Sequence, residues 1–247
     1  MTTEIKRIYS SRADGDFSIL GDPVELERRR RRLVDLEWTW LHQTHGTSVA
    51  IVGEPGDGAG QHADASVTSA VGAVLAVQTA DCAPLLLWGQ DDSGMAVIGA
   101  VHAGWRGLYD GILERTVAEM RALGATSSIF SELGPCISPE AYEFQPADLT
   151  TMALRFGPEV VAVTTEDLPA FDLRRAVRSE CDRLGIDLRG HLPGGGVELP
   201  GGGVECTARA SDNGSARYFS HRARGDSGRQ VSVIWIEDES MSPTGEQ

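Results

Sequence analysis

Residues 95–124 read MAVIGAVHAGWRGLYDGILERTVAEMRALG. From Met95 to Val101 the run is apolar and short, as a buried strand requires. Gly104-Trp105-Arg106-Gly107 breaks it. Beyond the break, Leu108, Ile112, Thr116 and Met120 recur at four-residue spacing, with Leu113, Val117 and Leu123 beside them and Gly124 behind. That spacing predicts a helix over 108–123. A buried strand that runs into an amphipathic helix places the chain among mixed α and β proteins.

The same alternation continues outward. Residues 73–79 and 84–88 are strand-like, as are 128–133, 160–164 and 231–236, with a short strand beginning at Ile8 and Tyr9. Asp22-Pro23-Val24-Glu25 is a helix start, with Asp22 as N-cap and Pro23 at the first position. Leu26, Leu33 and Leu36 then share roughly one face. The five arginines from Arg28 to Arg32 read as a solvated helix among Glu25, Glu27, Asp35 and Glu37, though some must lie beside the apolar face. A third helix is expected over 173–184, stopped by Gly185. No long linker interrupts this mixture, so the expectation is one α+β domain over residues 1–247. A tandem repeat, LPGGGVE-LPGGGVE, makes 190–205 a Gly-rich loop, and 238–247 reads as a flexible tail.

Composition narrows the function. The 247 residues carry a net charge of −14, which repels a nucleic-acid backbone but leaves room for a small phosphorylated ligand. No apolar stretch reaches the roughly 20 residues of a membrane span. Charges occupy the N-terminus where a signal peptide is apolar, so a cytoplasmic protein is expected. The four cysteines, Cys82, Cys136, Cys181 and Cys206, then read as reduced thiols.

Three segments place reactive side chains beside glycines and strand ends: Gln43-Thr44-His45-Gly46, Ala80-Asp81-Cys82-Ala83-Pro84 and Val101-His102-Ala103-Gly104-Trp105-Arg106-Gly107. Two imidazoles and one thiolate suit zinc and leave one coordination position open, the mark of a catalytic ion. An open zinc makes hydroxide available at neutral pH. Read singly, each residue also has an ordinary explanation: a buried Cys as a small hydrophobe, a His before a turn bonded to a carbonyl. Their wide separation in sequence does not decide between the two.

These segments, with Ala63-Asp64, Gly134-Pro135-Cys136-Ile137, Tyr142-Glu143, Cys206-Thr207, Phe219-Ser220-His221-Arg222 and Gly228-Arg229-Gln230, resemble the signature of the laccase-domain family over residues 40–236. That family is also described as multicopper polyphenol oxidoreductase, purine nucleoside phosphorylase and peptidoglycan editing factor. The resemblance implies packed mixed β-sheets flanked by helices, a layered fold grouped with cysteine hydrolases. It implies that His45, Cys82 and His102 bind metal. The implied activity is phosphorolysis of adenosine, inosine, guanosine or methylthioadenosine, with adenosine deamination. Alternatives are a hydrolase that removes misincorporated serine from a peptidoglycan precursor, a metal-free Cys82–His102 nucleophile and base, a copper-dependent polyphenol oxidase and a metal-binding protein without catalysis. The oxidase is chemically weakest: several coppers need about ten histidines, and the chain has six, although copper competes with zinc for one such site.

Within that frame, deamination needs an acid to shuttle a proton, and Asp64 and Asp81 are the candidates. Asp81, next to a ligand, is expected instead to brace a metal-bound His; Asp64 stays open between the roles. Arg106 and Gly107, at the predicted helix start, make a phosphate seat, and Arg229 supplies a second charge, against the plainer reading of surface ion pairs. Cys136 and Cys181 read as structural and Trp105 as packing, while Phe219 or Tyr142 could stack a base. The partners expected are a nucleoside and phosphate, with the chain a monomer or homodimer. The segment 11–17 is shorter than the family's, His221 stands where an aromatic is common, and the Gly repeat looks inserted.

Overall fold

The long apolar runs become strands that bury both faces, and this sets the layers. In the computed structural model, residues 3–189, 205–210 and 214–238 are described. The Gly-rich stretch up to residue 204 and the tail from 239 lie outside them. In chain order the elements are β1 (Thr3–Tyr9), α1 (Pro23–Leu33), β2 (Trp38–Thr39), β3 (Leu41–His42), β4 (Val49–Ile51), β5 (Gln61–His62), β6 (Ala65–Thr68) and β7 (Val74–Thr79). Then come β8 (Ala83–Gln90), β9 (Ala96–Ala103), α2 (Trp105–Tyr109), α3 (Ile112–Ala122), β10 (Phe130–Leu133) and α4 (Pro146–Phe156). The last are β11 (Val161–Val163), β12 (Pro169–Phe171), α5 (Leu173–Leu184), β13 (Asp187–Arg189), α6 (His221–Arg224) and β14 (Gln230–Asp238).

A four-stranded sheet, β1-β14-β7-β2, packs on a six-stranded one, β13-β10-β8-β9-β6-β4; among the described residues β3 pairs only with β5 and β11 only with β12. Side-chain alternation shows why the strands read as continuous apolar runs. Leu86, Ile98 and Ala100 face Leu75, Val77, Ile234 and Ile236 between the two sheets. Their neighbours Leu85, Leu87, Val97 and Val101 point the other way, onto Ile112, Leu113 and Met120 of α3 and Val177 and Cys181 of α5. Val74, Ala76, Val231 and Val233 cover the remaining face with Phe17, Trp38 and Leu26 of α1. The order is helix, sheet, sheet, helix, the mixed layered fold expected from the sequence. Each large aliphatic side chain fully buried here contributes about 1.5–3 kcal/mol.

Several boundaries differ from expectation. The helix expected over 108–123 is two: α2 ends at Tyr109, and Gly111, at φ 93°, turns the chain before α3. A left-handed residue cannot continue a right-handed helix, so the four-residue spacing crosses a break. Leu36 lies beyond the end of α1. In that helix Arg30 is the buried arginine, its guanidinium 4.7 Å from the Trp40 ring centre, while Arg31 pairs with Glu27 and Glu37. The 173–184 helix runs as expected, with Gly185 left-handed behind it. Among the described residues, no helix is long and apolar enough to cross a membrane.

Candidate metal centre

β8 begins and β9 ends at the same edge of the six-stranded sheet, with Ala83 opposite Ala103 and Pro84 opposite His102. Cys82, just before β8, therefore lies beside His102. The loop after β3 brings His45 over both. Its Nε2 is 3.7 Å from the Cys82 Sγ, and the ligand atoms of His45, Cys82 and His102 all lie within 4.8 Å of one another. Tetrahedral zinc with ordinary Zn–N and Zn–S bonds spaces such donors about 3.6 Å apart, so the three fit one ion. They are the only such group of three among the described residues. His102 is buried, Cys82 half-buried and His45 exposed, so the centre opens to solvent on the His45 side.

One carboxylate organises this arrangement. Asp64, fully buried, accepts the backbone N–H groups of Thr44, His45 and Gly46 and the Thr44 hydroxyl. Its Oδ1 also lies 2.9 Å from Nδ1 of His102, which leaves the other ring nitrogen to face the centre. Burial alone pushes the Asp64 carboxyl up, but its bonds to His102, Gly46 and Thr44 outweigh this and hold it well below the usual carboxylate range. A carboxylate so enclosed fixes the His45 loop and the His102 ring and has no exposed surface of its own. The bracing expected of Asp81 thus belongs to Asp64. Asp81 instead accepts the Thr207 hydroxyl at 2.7 Å and the Arg222 N–H at 2.6 Å, and so ties two distant segments to the Cys82 turn.

The site is also where the backbone is least relaxed. Among the described residues three non-glycines have left-handed φ, and two are His45, at 60°, and Asp81, at 95°. The glycines of the 104–107 motif are steric requirements. A Cβ on Gly104 would lie 2.7 Å from His45 Cδ2 and 3.3 Å from Cys82 Sγ; one on Gly107 would lie 2.7 Å from the Gly46 carbonyl oxygen.

The metal-free centre is polarised. Burial pushes the Cys82 thiol up, but His102 and His45 outweigh it and bring it down to about 6. Burial pushes His102 down, but Cys82 and Asp64 outweigh it and raise it to about 9.

The expected phosphate seat is only partly there. Gly107 is buried against the 44–46 loop, and α2 is a five-residue helix, so no long helix dipole points at the site. Arg106 is exposed and lies over the Trp105 ring at 4.2 Å. Arg229 spends its guanidinium on the carbonyls of Asp226, Ser227 and Gly228, closing its own loop. The Arg222 guanidinium lies 5.2 Å from the Tyr142 ring centre, and the charges of both Arg222 and Arg106 act on that tyrosine. Tyr142 is buried next to Phe144, which also meets Trp105. Its hydroxyl is pushed up by burial and by Cys82, so it stays protonated at neutral pH. Asp81 holds Arg222 by its backbone N–H only, and among the described residues neither the Arg106 nor the Arg222 guanidinium pairs with a carboxylate. Phe219 carries Arg12 on its ring at 4.4 Å. Cys136 and Cys181 are buried, and burial pushes their thiols up to about 11 and about 12. Sequence reasoning held Arg222 only as part of the 219–222 family segment and gave it no role, because its link to the centre runs through Asp81, far away in the chain.

Residues 10–237 match the family described as multi-copper polyphenol oxidoreductase laccase. A protein of Xylella fastidiosa named purine nucleoside phosphorylase is 38% identical over 236 residues, covering 88% of this chain and 82% of that protein. A Corynebacterium glutamicum protein of the same name is 31% identical and covers 96% of each chain. Two solved structures share the fold: a Neisseria meningitidis protein, with TM-score 0.70, 27% identity and 95% of each chain covered, and YlmD of Geobacillus stearothermophilus, with TM-score 0.70, 23% identity and 96% and 92% covered. With that match across nearly its whole length, the chain belongs to the laccase-domain family.

Proposed function

We propose that the protein is a metal-dependent purine nucleoside phosphorylase. Its relatives in Xylella and Corynebacterium bear that name. The observation that carries the reading is the pair of exposed arginines, Arg106 and Arg222, whose charges act, with that of Cys82, on the Tyr142 hydroxyl near the His45–Cys82–His102 group. Phosphorolysis needs a phosphate dianion held against C1′ of the ribose while the glycosidic bond breaks. Two guanidiniums free of carboxylates suit the dianion. The protonated Tyr142 hydroxyl donates a hydrogen bond to the departing base or the sugar. Asp64 fixes the face that His102 presents, and its donors fix the loop that carries His45. His45, Cys82 and His102 would hold zinc, with copper the competing ion, and a bound zinc would supply Lewis acidity at one open position.

Deamination is the weaker half of the family's chemistry here. It needs an acid that exchanges protons with substrate, and Asp64 is sealed from solvent. The test is chromatography of zinc-loaded protein with inosine and with adenosine, with and without phosphate. The proposal expects hypoxanthine and adenine only when phosphate is present. Nucleosides untouched in both conditions overturn it; phosphate-independent inosine from adenosine establishes deamination instead. Arg222→Ala should raise the KM for phosphate by about 10–100-fold, the loss of a charged hydrogen bond, with zinc content unchanged. Equal loss of zinc would assign Arg222 to the metal centre.

A second reading rests on the Cys82 thiol, brought down to about 6: without metal it is a nucleophile beside an imidazole. Fast inactivation by iodoacetamide of the protein as isolated, with turnover unaffected by chelators, favours this reading. Protection by zinc favours the phosphorylase.

A further inference from the structure

A second pair of imidazoles lies outside the centre. β3 and β5 run parallel with His42 opposite His62, so the two side chains leave the same face of this small sheet. Their rings stack, 5.0 Å apart and 18° from parallel, so the spacing suits a shared ion once one ring turns toward the other. Two imidazoles bound to one zinc at about 2.1 Å in neighbouring positions hold their ring centres about 5 Å apart. The pair inside the centre, His45 and His102, stands at 4.8 Å. His62 is exposed and His42 half-buried, so an ion can reach them, and a turn of the exposed His62 ring about its χ2 brings a nitrogen of each toward it. Trp40 packs edge-on against His42 at 5.5 Å and restricts its ring. The one cation over that tryptophan, Arg30, faces Glu27 at 3.8 Å.

We propose that His42 and His62 form a second metal site on the surface, taking a borderline divalent cation such as zinc or nickel through two imidazole nitrogens. Water completes the coordination, because no third His, Cys, Asp or Glu joins them among the described residues. Two neutral ligands bind less tightly than the thiolate-containing set of the main centre. The second imidazole nevertheless engages as an intramolecular ligand, at an effective concentration of order mM or above. The chain's net charge of −14 adds a general attraction for cations. An ion here would clip together the strands that lead into His45 and Asp64.

Calorimetric titration of the full-length, metal-stripped protein with zinc alone tests this. The wild type should bind one zinc tightly and a second more weakly. His62→Ala should keep the tight event and weaken the second by more than about tenfold, since losing even an outer partner of a ligand costs about 10–100-fold. Cys82→Ser should lose the tight event and keep the weak one. Nickel should quench tryptophan emission in the wild type, less in Trp40→Phe and less in His62→Ala. A single binding event up to millimolar zinc overturns the proposal. So does a second event that persists in His62→Ala, which would place that ion on other side chains.

Discussion

The molecule carries two histidine pairs of nearly equal spacing, 4.8 Å for His45 and His102 and 5.0 Å for His42 and His62, in very different surroundings. The first has a thiolate within reach, a buried carboxylate behind one ring and left-handed backbone at His45. The second lies across a two-residue pairing at the surface with a tryptophan for company. Spacing alone therefore does not separate the two pairs; orientation begins to, with the first edge-on at 79° and the second stacked at 18°. What would make the first a reaction centre, in the proposed reading, is its surroundings: a thiolate as third ligand, an Asp64 bond that orients the His102 ring, and Tyr142 with two arginines nearby.

The largest test of that contrast removes the shell and leaves the ligands. Asp64→Ala strands the N–H groups of Thr44, His45 and Gly46 and the ring of His102. Breaking such a buried charged network costs about 3–5 kcal/mol. For a chain of this size that lowers Tm by roughly 6–20 °C, and zinc affinity at the main centre should fall by at least about tenfold. The Asp64 carboxyl lies below its unfolded value, so its stabilisation is present above the ordinary carboxylate pKa and is lost as pH falls through the depressed one. The Tm deficit of the variant should therefore shrink in acid. A variant with wild-type Tm and zinc affinity contradicts this role. At the second pair, zinc binding should survive wherever Asp64→Ala remains folded.

Gly104→Ala is a smaller perturbation. Its methyl group presses on His45 and Cys82, so zinc binding should weaken while overpacking costs about 1–3 kcal/mol of stability. Calorimetry and thermal melts on the same sample separate the two effects; unchanged zinc affinity would show that the loop gives way freely. The smallest test leaves the sequence intact. In metal-stripped protein the Cys82 thiol should alkylate at a rate that is flat above about pH 7 and falls below about pH 6, whereas an ordinary thiol keeps accelerating to pH 9. Zinc should suppress the reaction throughout. A rate still climbing at pH 9 would mean that the imidazoles do not stabilise the thiolate.

The layered fold was legible because strands buried on both sides leave long apolar runs, as at residues 95–101. The two-residue strands β2, β3 and β5 leave no such trace, since tertiary packing rather than pattern makes them. The helix α4 leaves a short signal, Leu149, Met152 and Phe156 on one face between Pro146 and Gly157, in a span too brief to stand out. At the site, His45, Cys82 and His102 stood out as reactive residues beside glycines, and family resemblance grouped them. Which aspartate braces them was not legible, because Asp64 reaches His102 through sheet pairing and Asp81 only looks near through adjacency to Cys82. Arg222 was hidden for the same reason.

The most direct measurement sets the two pairs against each other: inosine phosphorolysis and bound zinc, measured together in Cys82→Ser and in His62→Ala. The account predicts that Cys82→Ser loses the tight zinc and at least about 100-fold in turnover, as when a stabilising group is removed from a catalytic site. It predicts that His62→Ala keeps the tight zinc and turns over within about twofold of wild type, as surface changes usually do. Equal loss of turnover in both variants, or full turnover by Cys82→Ser without tight zinc, would contradict it.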